Sequence, residues 1–561
     1  MSATEEMAHS GKPVGQTSGF AKEEATRLGA LFLLAVALRT VVAARAATLF
    51  NDGPRFLDTA SLMASGAWEQ AFRDSYHPLY SFLIQLFSRF TGDPERVGVV
   101  ISVLAGSLCV LVFYAFLRRI WNVRVATVGA FLLAIHPYAI RFSSSVQSEA
   151  LYLLLFVGSV ALLLRALDRP GFANALFCGV VVGLAYLTRP EGAVVGVVGA
   201  MAAGVLWLRR FWPGVTLLRV WVGLLLGFAL AALPYVLSLK SVTGVWQLSQ
   251  KKSILVLMGL MQHQGGYGTE LVWTVSERFL WISGFLFLSA VVLVLALRWL
   301  ARRDWLERAV PPVWFGLSAL VLVLAMALLD FSAFWNFLLS LVSTFRPEQV
   351  VILLLGILAG ALHSGRNSSL LMGLLMTVCL VMLYMLLLNY GYASRRHFLP
   401  PLVLLLGYGA VGVLFVADWL GGHGLRSKKG ALVAVMAVLA LISVPKALRG
   451  HRHQEYAGRV VAERLREAPM GVGLLASERS KSAYYANLRW HPLVARRGGY
   501  HSVAQLHKSG VRFILLEVEP EESPSVLGAS PPGLRLQELD RLTERGRVAY
   551  LFKIVESESA P

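Results

Sequence analysis

NDGPRFLDTASLMASGAWEQAFRDSYHPLYSFLIQLF, residues 51–87, is a polar, acid-bearing stretch between an apolar run at 28–50 and another at 97–117. Asp52 stands at the mouth of the first run, followed by Phe56 and Ala60 at helical spacing. A helix starting there carries all three on one face. A carboxylate at the edge of a low-dielectric layer has a raised proton affinity, which suits a general base. The competing reading is that Asp52 only caps the helix.

The apolar runs flanking this loop belong to a series. The chain has 561 residues, of which 56% are hydrophobic and 15% charged, with a mean hydropathy of +0.62. Ordinary soluble domains hold about 45–50% apolar and about 25% charged residues, so a soluble multidomain enzyme and a disordered chain are both excluded. Crossing a membrane takes about 20 mostly apolar residues. Such runs lie near 28–50, 97–117, 122–140, 149–166, 172–188, 191–208, 215–239, 279–298, 312–330, 347–363, 369–390, 398–418 and 430–445. The expected fold is therefore an α-helical polytopic membrane protein of about thirteen transmembrane helices. The run at 347–363 is short, and Phe331 to Phe345 before it reads as a re-entrant or interfacial helix.

The net charge of +19, from 52 Lys+Arg and 33 Asp+Glu, is dispersed along the chain, which argues against a nucleic-acid surface. Its distribution orients the spans instead. With the N-terminus in the cytoplasm, Arg118, Arg119, Arg124, Arg165, Arg169, Arg209, Arg210, Arg302, Arg303, Arg426, Lys428 and Lys429 all fall on inner loops. Residues 51–96 and 240–278 then lie outside. This divides the chain into a disordered cytoplasmic leader (1–27), a membrane domain (28–445) whose outer loop 51–96 carries the site, and an extracytoplasmic tail (446–561). In the tail, 457–467 and SVAQLHKSG read as helices, and 472–477 and 511–519 as strands. LQELDRLTE followed by VAYLFKIVE reads as a further helix and strand, giving a small α/β domain. Cys109, Cys178 and Cys379 sit in apolar runs without partner spacing and are expected to be core hydrophobes.

Acids and bases gather at the outer interface: Asp52, Asp58 and Glu149 with Arg189, Lys251, Lys252, Arg395 and Arg396. Their order resembles the GT-C membrane glycosyltransferases, in particular the protein O-mannosyltransferase and aminoarabinose-transferase-like branch. Arg39 stands in the first span, DGPRFLDTA supplies the acidic opening of the first outer loop, and HPLY (77–80) leads into the next span. SSSVQSEALYLLLF places Glu149 at the second outer acid. LTRPEG (187–192), LPYVLSLKSVTGVWQLS (233–249) and SRRHFLPPLVLLLG (394–407) match later segments. The chain departs from the pattern with Gly53 after Asp52, Phe56 for Tyr and His77 for Pro. Asp58 is then an off-register substitute for the missing second acid.

The resemblance implies transfer of a sugar from a polyprenyl-phosphate donor to an acceptor lipid, glycan or protein, with inversion, in a bacterial inner membrane and on its periplasmic side. Such a reaction needs a base, for which Asp52 is the candidate. It also needs cations for the phosphate leaving group: Arg395 and Arg396 first, then Arg189, Lys251 and Lys252. Glu149 has four readings: a ligand for a divalent metal, a holder of sugar hydroxyls, a partner of Arg189, or a charge on a helix N-terminus. Arg39 either positions substrate or is structural, and His77 is a ligand or a loop side chain. A polytopic transporter or lipid flippase is the alternative function. It predicts an internal repeat and helices broken at mid-membrane.

Overall fold

A computed structural model describes residues 14–250, 261–263, 271–273 and 331–556, except Ser75, 361–365, 391–393, 424–426, 450–454, 469–472, 495–498, 523–526, 529, 532 and 545. The expected spans at 279–298 and 312–330 lie outside the described residues.

The membrane domain runs through α1 (Val14–Ala44), α2 (Gly53–Ala64), α3 (Trp68–Phe72), α4 (Pro78–Thr91), α5 (Pro94–Ile120), α6 (Val123–Ile135), α7 (Pro137–Phe142), α8 (Glu149–Asp168) and α9 (Phe172–Thr188). It continues through α10 (Val194–Leu208), α11 (Gly214–Thr243), α12 (Phe331–Phe345), α13 (Pro347–Gly360), α14 (Arg366–Tyr390), α15 (Leu399–Gly422) and α16 (Lys428–Ala447). Among the described residues, seven helices are long and apolar enough to cross a membrane. Their outer faces are greasy: α11 leaves Leu218, Leu225 and Leu230 exposed while burying Val220, Leu224 and Gly227. A stripe facing hydrocarbon explains that pattern, and the chain is an integral multi-pass membrane protein.

Three expectations change. Helix α1 starts at Val14, so much of the leader expected over 1–27 is helical. Arg27 pairs with Glu23 one turn away at 2.9 Å, and Glu24 meets Arg118 and Tyr114, contacts that extend the helix past its apolar part. The run at 122–140 breaks at His136, because Pro137 disfavours helical backbone at the residue before it. The run at 347–363 forms a pair with α12, Phe334–Phe345 and Pro347–Ile357 meeting at 94°. Arg346 turns the corner at φ 72 ahead of Pro347.

Helices α13 and α15 cross backbone to backbone. A Cβ on Gly356 would strike the Tyr408 carbonyl, and one on Gly412 the Ile352 carbonyl. Small residues on both helices permit this approach. Gly356→Ala is expected to destabilise the protein by about 1–3 kcal/mol through overpacking, measured as a lower unfolding midpoint in detergent. An unchanged midpoint would show that the crossing is loose.

The tail forms α17 (Tyr456–Glu467), β3 (Leu474–Ser477), α18 (Ser480–Tyr485), β4 (Arg489–Pro492), α19 (Val503–Lys508), β5 (Val511–Val518), β6 (Leu534–Glu544) and β7 (Arg547–Glu556). A separate short hairpin pairs β1 (Met261–His263) with β2 (Leu271–Trp273). The tail sheet has the order β4-β3-β5-β7-β6, with β3 parallel to β4 and β5, and β7 antiparallel to β5 and β6. LQELDRLTE, expected as a helix, is strand β6. The register against β7 shifts between Glu538 and Asp540, a bulge at Leu539. Leu534 and Leu536 therefore pack on the face covered by Val503 and Leu506 of α19, whereas Leu539 and Leu542 pack on the face covered by Val461 and Leu465 of α17. A strand whose two faces are each half-covered imitates the three-residue leucine spacing of a helix.

One apolar cluster joins the tail to the outer loop: Phe56, Leu57 and Ala60 of α2 pack together with Val461, Tyr485 and Phe513. Polar contacts hold residues 47–51 as well. Lys481, 2% exposed, binds Thr48 at 3.1 Å and pairs with Glu455. The Leu49 N–H donates to the Tyr485 hydroxyl at 2.9 Å, and Arg459 donates to the Ala47 carbonyl at 3.0 Å. Lys481→Met is expected to loosen the tail, read as faster limited proteolysis with the membrane helices intact. Unchanged proteolysis would assign the anchoring to the apolar cluster alone.

Candidate active site

Chain geometry brings Asp52 to its place in two steps. Helix α1 stops at Ala44, and residues 45–52, gripped by the tail, lead into α2, whose early Pro54 suits a helix start. Asp52 occupies the N-cap position, but its side chain makes no capping hydrogen bond. It is instead ion-paired with Nη1 of Arg396 and accepts a hydrogen bond from the Tyr76 hydroxyl.

Arg396 comes from the 3-10 turn Arg395–Phe398. Fully buried Phe398 and the prolines at 400 and 401 fix this turn ahead of α15. The same Nη1 lies 3.6 Å from Oε1 of Glu149. Glu149, 4% exposed, is the first residue of α8. The loop before it is held by buried Tyr80, whose hydroxyl donates to the Gly98 carbonyl at 2.8 Å and accepts from the Gln147 N–H at 3.0 Å. Glu149 accepts from Nη1 of Arg189 at 2.9 Å, and Nη2 of Arg189 reaches Glu191 at 3.4 Å. Arg189 leaves α9 in extended backbone (φ −154, ψ 137) because Pro190 follows. Four segments distant in sequence thus build one chain of charges, Asp52–Arg396–Glu149–Arg189–Glu191.

This group sits at one end of the bundle. The other end of α8 carries Asp168, paired with Arg119 at 2.8 Å, some 30 Å away by helical rise. Arg118 pairs with Glu24 near the start of α1, so the arginines expected on inner loops gather at the end away from the carboxylate group.

Electrostatics at Asp52 follow from these neighbours. Burial works to raise its pKa, but adjacent Arg396, the Tyr76 hydrogen bond and more distant Arg189 outweigh it and hold the carboxyl below its usual value. Burial and the Asp52 charge push the Tyr76 hydroxyl upward, so it keeps its proton and donates. Sequence reading passed over Tyr76 and counted Glu191 among the outer-interface acids without giving it a role. Their one visible signal is adjacency, Tyr76 preceding HPLY and Glu191 following the Arg189–Pro190 pair.

The remaining candidates are placed differently. Arg395 lies exposed, its guanidinium over the Tyr138 ring at 5.0 Å. Arg39, 1% exposed, donates to the carbonyls of Ala35 at 3.1 Å and Ala134 at 3.3 Å, and makes no ion pair among the described residues. It shares a small cavity with Glu149, Gly106 and Ser143. His77 is not with the carboxylates: it bonds Ser249 at 3.0 Å and packs between Tyr186 and Tyr235. Asp58 lies on an exposed part of α2 rather than in the charge group. Lys251 and Lys252 lie outside the described residues. The donor set fits a divalent metal poorly, since Arg396 already stands between Asp52 and Glu149, and no three His, Cys, Asp or Glu side chains cluster among the described residues.

Comparison with known proteins agrees with this architecture. Residues 75–237 match the family model described as dolichyl-phosphate-mannose-protein mannosyltransferase. No curated protein matches the sequence. The structure is similar to the Archaeoglobus fulgidus oligosaccharyltransferase solved with Zn and sulfate, at 14% identity and a TM-score of 0.51, over 87% of this chain and 67% of that one. The same enzyme tethered to an acceptor peptide containing the NVT sequon aligns at 13% identity and a TM-score of 0.51, over 88% and 69%. ArnT from Cupriavidus metallidurans bound to undecaprenyl phosphate aligns at 13% identity and a TM-score of 0.44, over 93% and 97%. Over residues 75–237 the chain thus resembles that mannosyltransferase family, and its fold is similar to that of the oligosaccharyltransferase.

Proposed function

We propose that the protein transfers a sugar from a polyprenyl-phosphate donor to an acceptor hydroxyl or phosphate outside the cytoplasm, inverting the anomeric carbon. The observation that carries this reading is the convergence of Asp52, Arg396, Glu149 and Arg189 at the bundle end opposite the basic inner-loop residues. The family description, which names a lipid-phosphate sugar, favours the donor class.

The acceptor oxygen attacks the anomeric carbon from the face opposite the phosphate and forms the new glycosidic bond. Its proton passes to the Asp52 carboxylate. The bond between the anomeric carbon and the phosphate oxygen breaks, and its electron pair leaves on the polyprenyl phosphate. Arg396 stabilises the charge growing on that phosphate, a guanidinium being suited to bidentate contact with its oxygens. Glu149 and Arg189 hold Arg396 in position, and Arg395 extends the positive edge of the site. The isoprenoid lies in the apolar grooves between spans. The charge pattern of the loops supports an orientation with the site facing the periplasm of a bacterial inner membrane.

The test is transfer from radiolabelled polyprenyl-phosphate sugars by the purified protein, with lipid, glycan and peptide acceptors offered together. Labelled product of inverted configuration supports the reading. A protein that moves the lipid between leaflets without releasing sugar would be a flippase, the reading for which the bent α12–α13 pair speaks.

A further inference from the structure

We propose that Arg396 is a latch on Asp52: the donor phosphate draws Arg396 off the Asp52 carboxylate, so that donor binding itself frees the base. The inference rests on the donor class proposed above.

In the five-residue group two guanidinium groups face three carboxylates, each cation already paired. An arriving phosphodiester therefore competes with these carboxylates for the guanidinium groups. Of the two acids on Arg396, Glu149 is 4% exposed and held by Arg189 as well, at 2.9 Å. Asp52 is 20% exposed, at the outer edge of the group. Asp52 is the acid that yields. Arg396 also has a donor in reserve: its Nε is buried without a hydrogen-bond partner. Nε–H and the neighbouring Nη2 form the edge of a guanidinium that binds two phosphate oxygens at once, whereas both carboxylates are on Nη1. A buried donor left unpaired costs free energy, so a ligand that satisfies it gains from doing so.

Once Arg396 turns, Asp52 keeps its shielded position and the Tyr76 hydrogen bond but loses its nearest positive charge. Burial then raises its proton affinity, the direction a base needs. The free enzyme thus carries a weak base and the donor complex a stronger one. After transfer the dianionic lipid phosphate holds Arg396 and Asp52 holds the proton. Loss of the lipid lets the proton pass to water and the Asp52–Arg396 pair re-form.

The test measures undecaprenyl phosphate binding to the full-length protein in nanodiscs. Asp52→Asn is expected to bind about ten-fold tighter than wild type, since Arg396 no longer has to be released. The gain should vanish on an Arg396→Ala background. Equal or weaker binding by Asp52→Asn overturns the latch. A second measurement uses wild type alone. The acid limb of kcat, which reports the donor complex, should lie at least about one pH unit above that of kcat/KM, which reports the free enzyme; coincident limbs overturn the latch. Coincident limbs with transfer intact remove only the latch. Absence of transfer from every polyprenyl-phosphate sugar removes the donor reading and the latch with it.

Discussion

Asp52→Asn is expected to lower kcat for sugar transfer by about 10²–10⁴-fold, the usual contribution of a positioned general base. The substitution keeps the size and the position ahead of α2 but removes the group that takes the proton. Because Asp52 makes no capping hydrogen bond, helix α2 has no reason to unravel in the variant. The loss should therefore appear in single-turnover transfer by a protein that still folds, its thermal midpoint lowered only by the lost Arg396 pair. Full activity in the Asn variant would remove Asp52 as the base. The pH profile carries a sign as well. A carboxyl held low by Arg396 stays ionised through neutrality in the free enzyme, so kcat/KM should fall only in acid, as Asp52 becomes protonated.

The second large effect is on stability. Glu149 is 4% exposed and faces both Arg189, 9% exposed, and Arg396. Glu149→Leu leaves the Arg189 charge buried against Glu191 alone, and breaking a buried pair in this way costs about 3–5 kcal/mol. The expected result is a marked fall in the unfolding midpoint of the detergent-solubilised protein. Replacing both partners, Glu149→Leu with Arg189→Met, should recover part of the loss, because the buried Arg189 charge is removed and the acid it leaves behind, Glu191, is 28% exposed. If the double variant is worse than Glu149→Leu by the full cost of a second lesion, the two residues do not act as a pair.

How far the sequence carries can be followed residue by residue. Hydropathy depends on composition alone, so the membrane class is readable without coordinates. Asp52, Glu149, Arg189 and Arg396 could be singled out because each stands where an apolar run meets water, beside a proline or a helix start. His77 and Asp58 have the same local signature, yet His77 lies among tyrosines and Asp58 on exposed surface. Local pattern cannot separate these cases, since a side chain's partner is set by which helices pack together. The same limit applies to β6, whose leucine spacing reads as a helix until the bulge at Leu539 is seen to switch faces.

Sequence by itself determined that this chain crosses a membrane many times, and it separated the basic loops from the few acids that stand at the opposite ends of the runs. Those properties follow from transfer free energies, which sum along the chain without regard to contacts. Only the tertiary structure decided that Arg396 bridges Asp52 and Glu149 across hundreds of residues, that Tyr76 joins them, and that the tail grips residues 47–51 just ahead of Asp52. Electrostatic and hydrogen-bond energies act over a few ångströms, so they become legible only once packing has brought distant segments to that range.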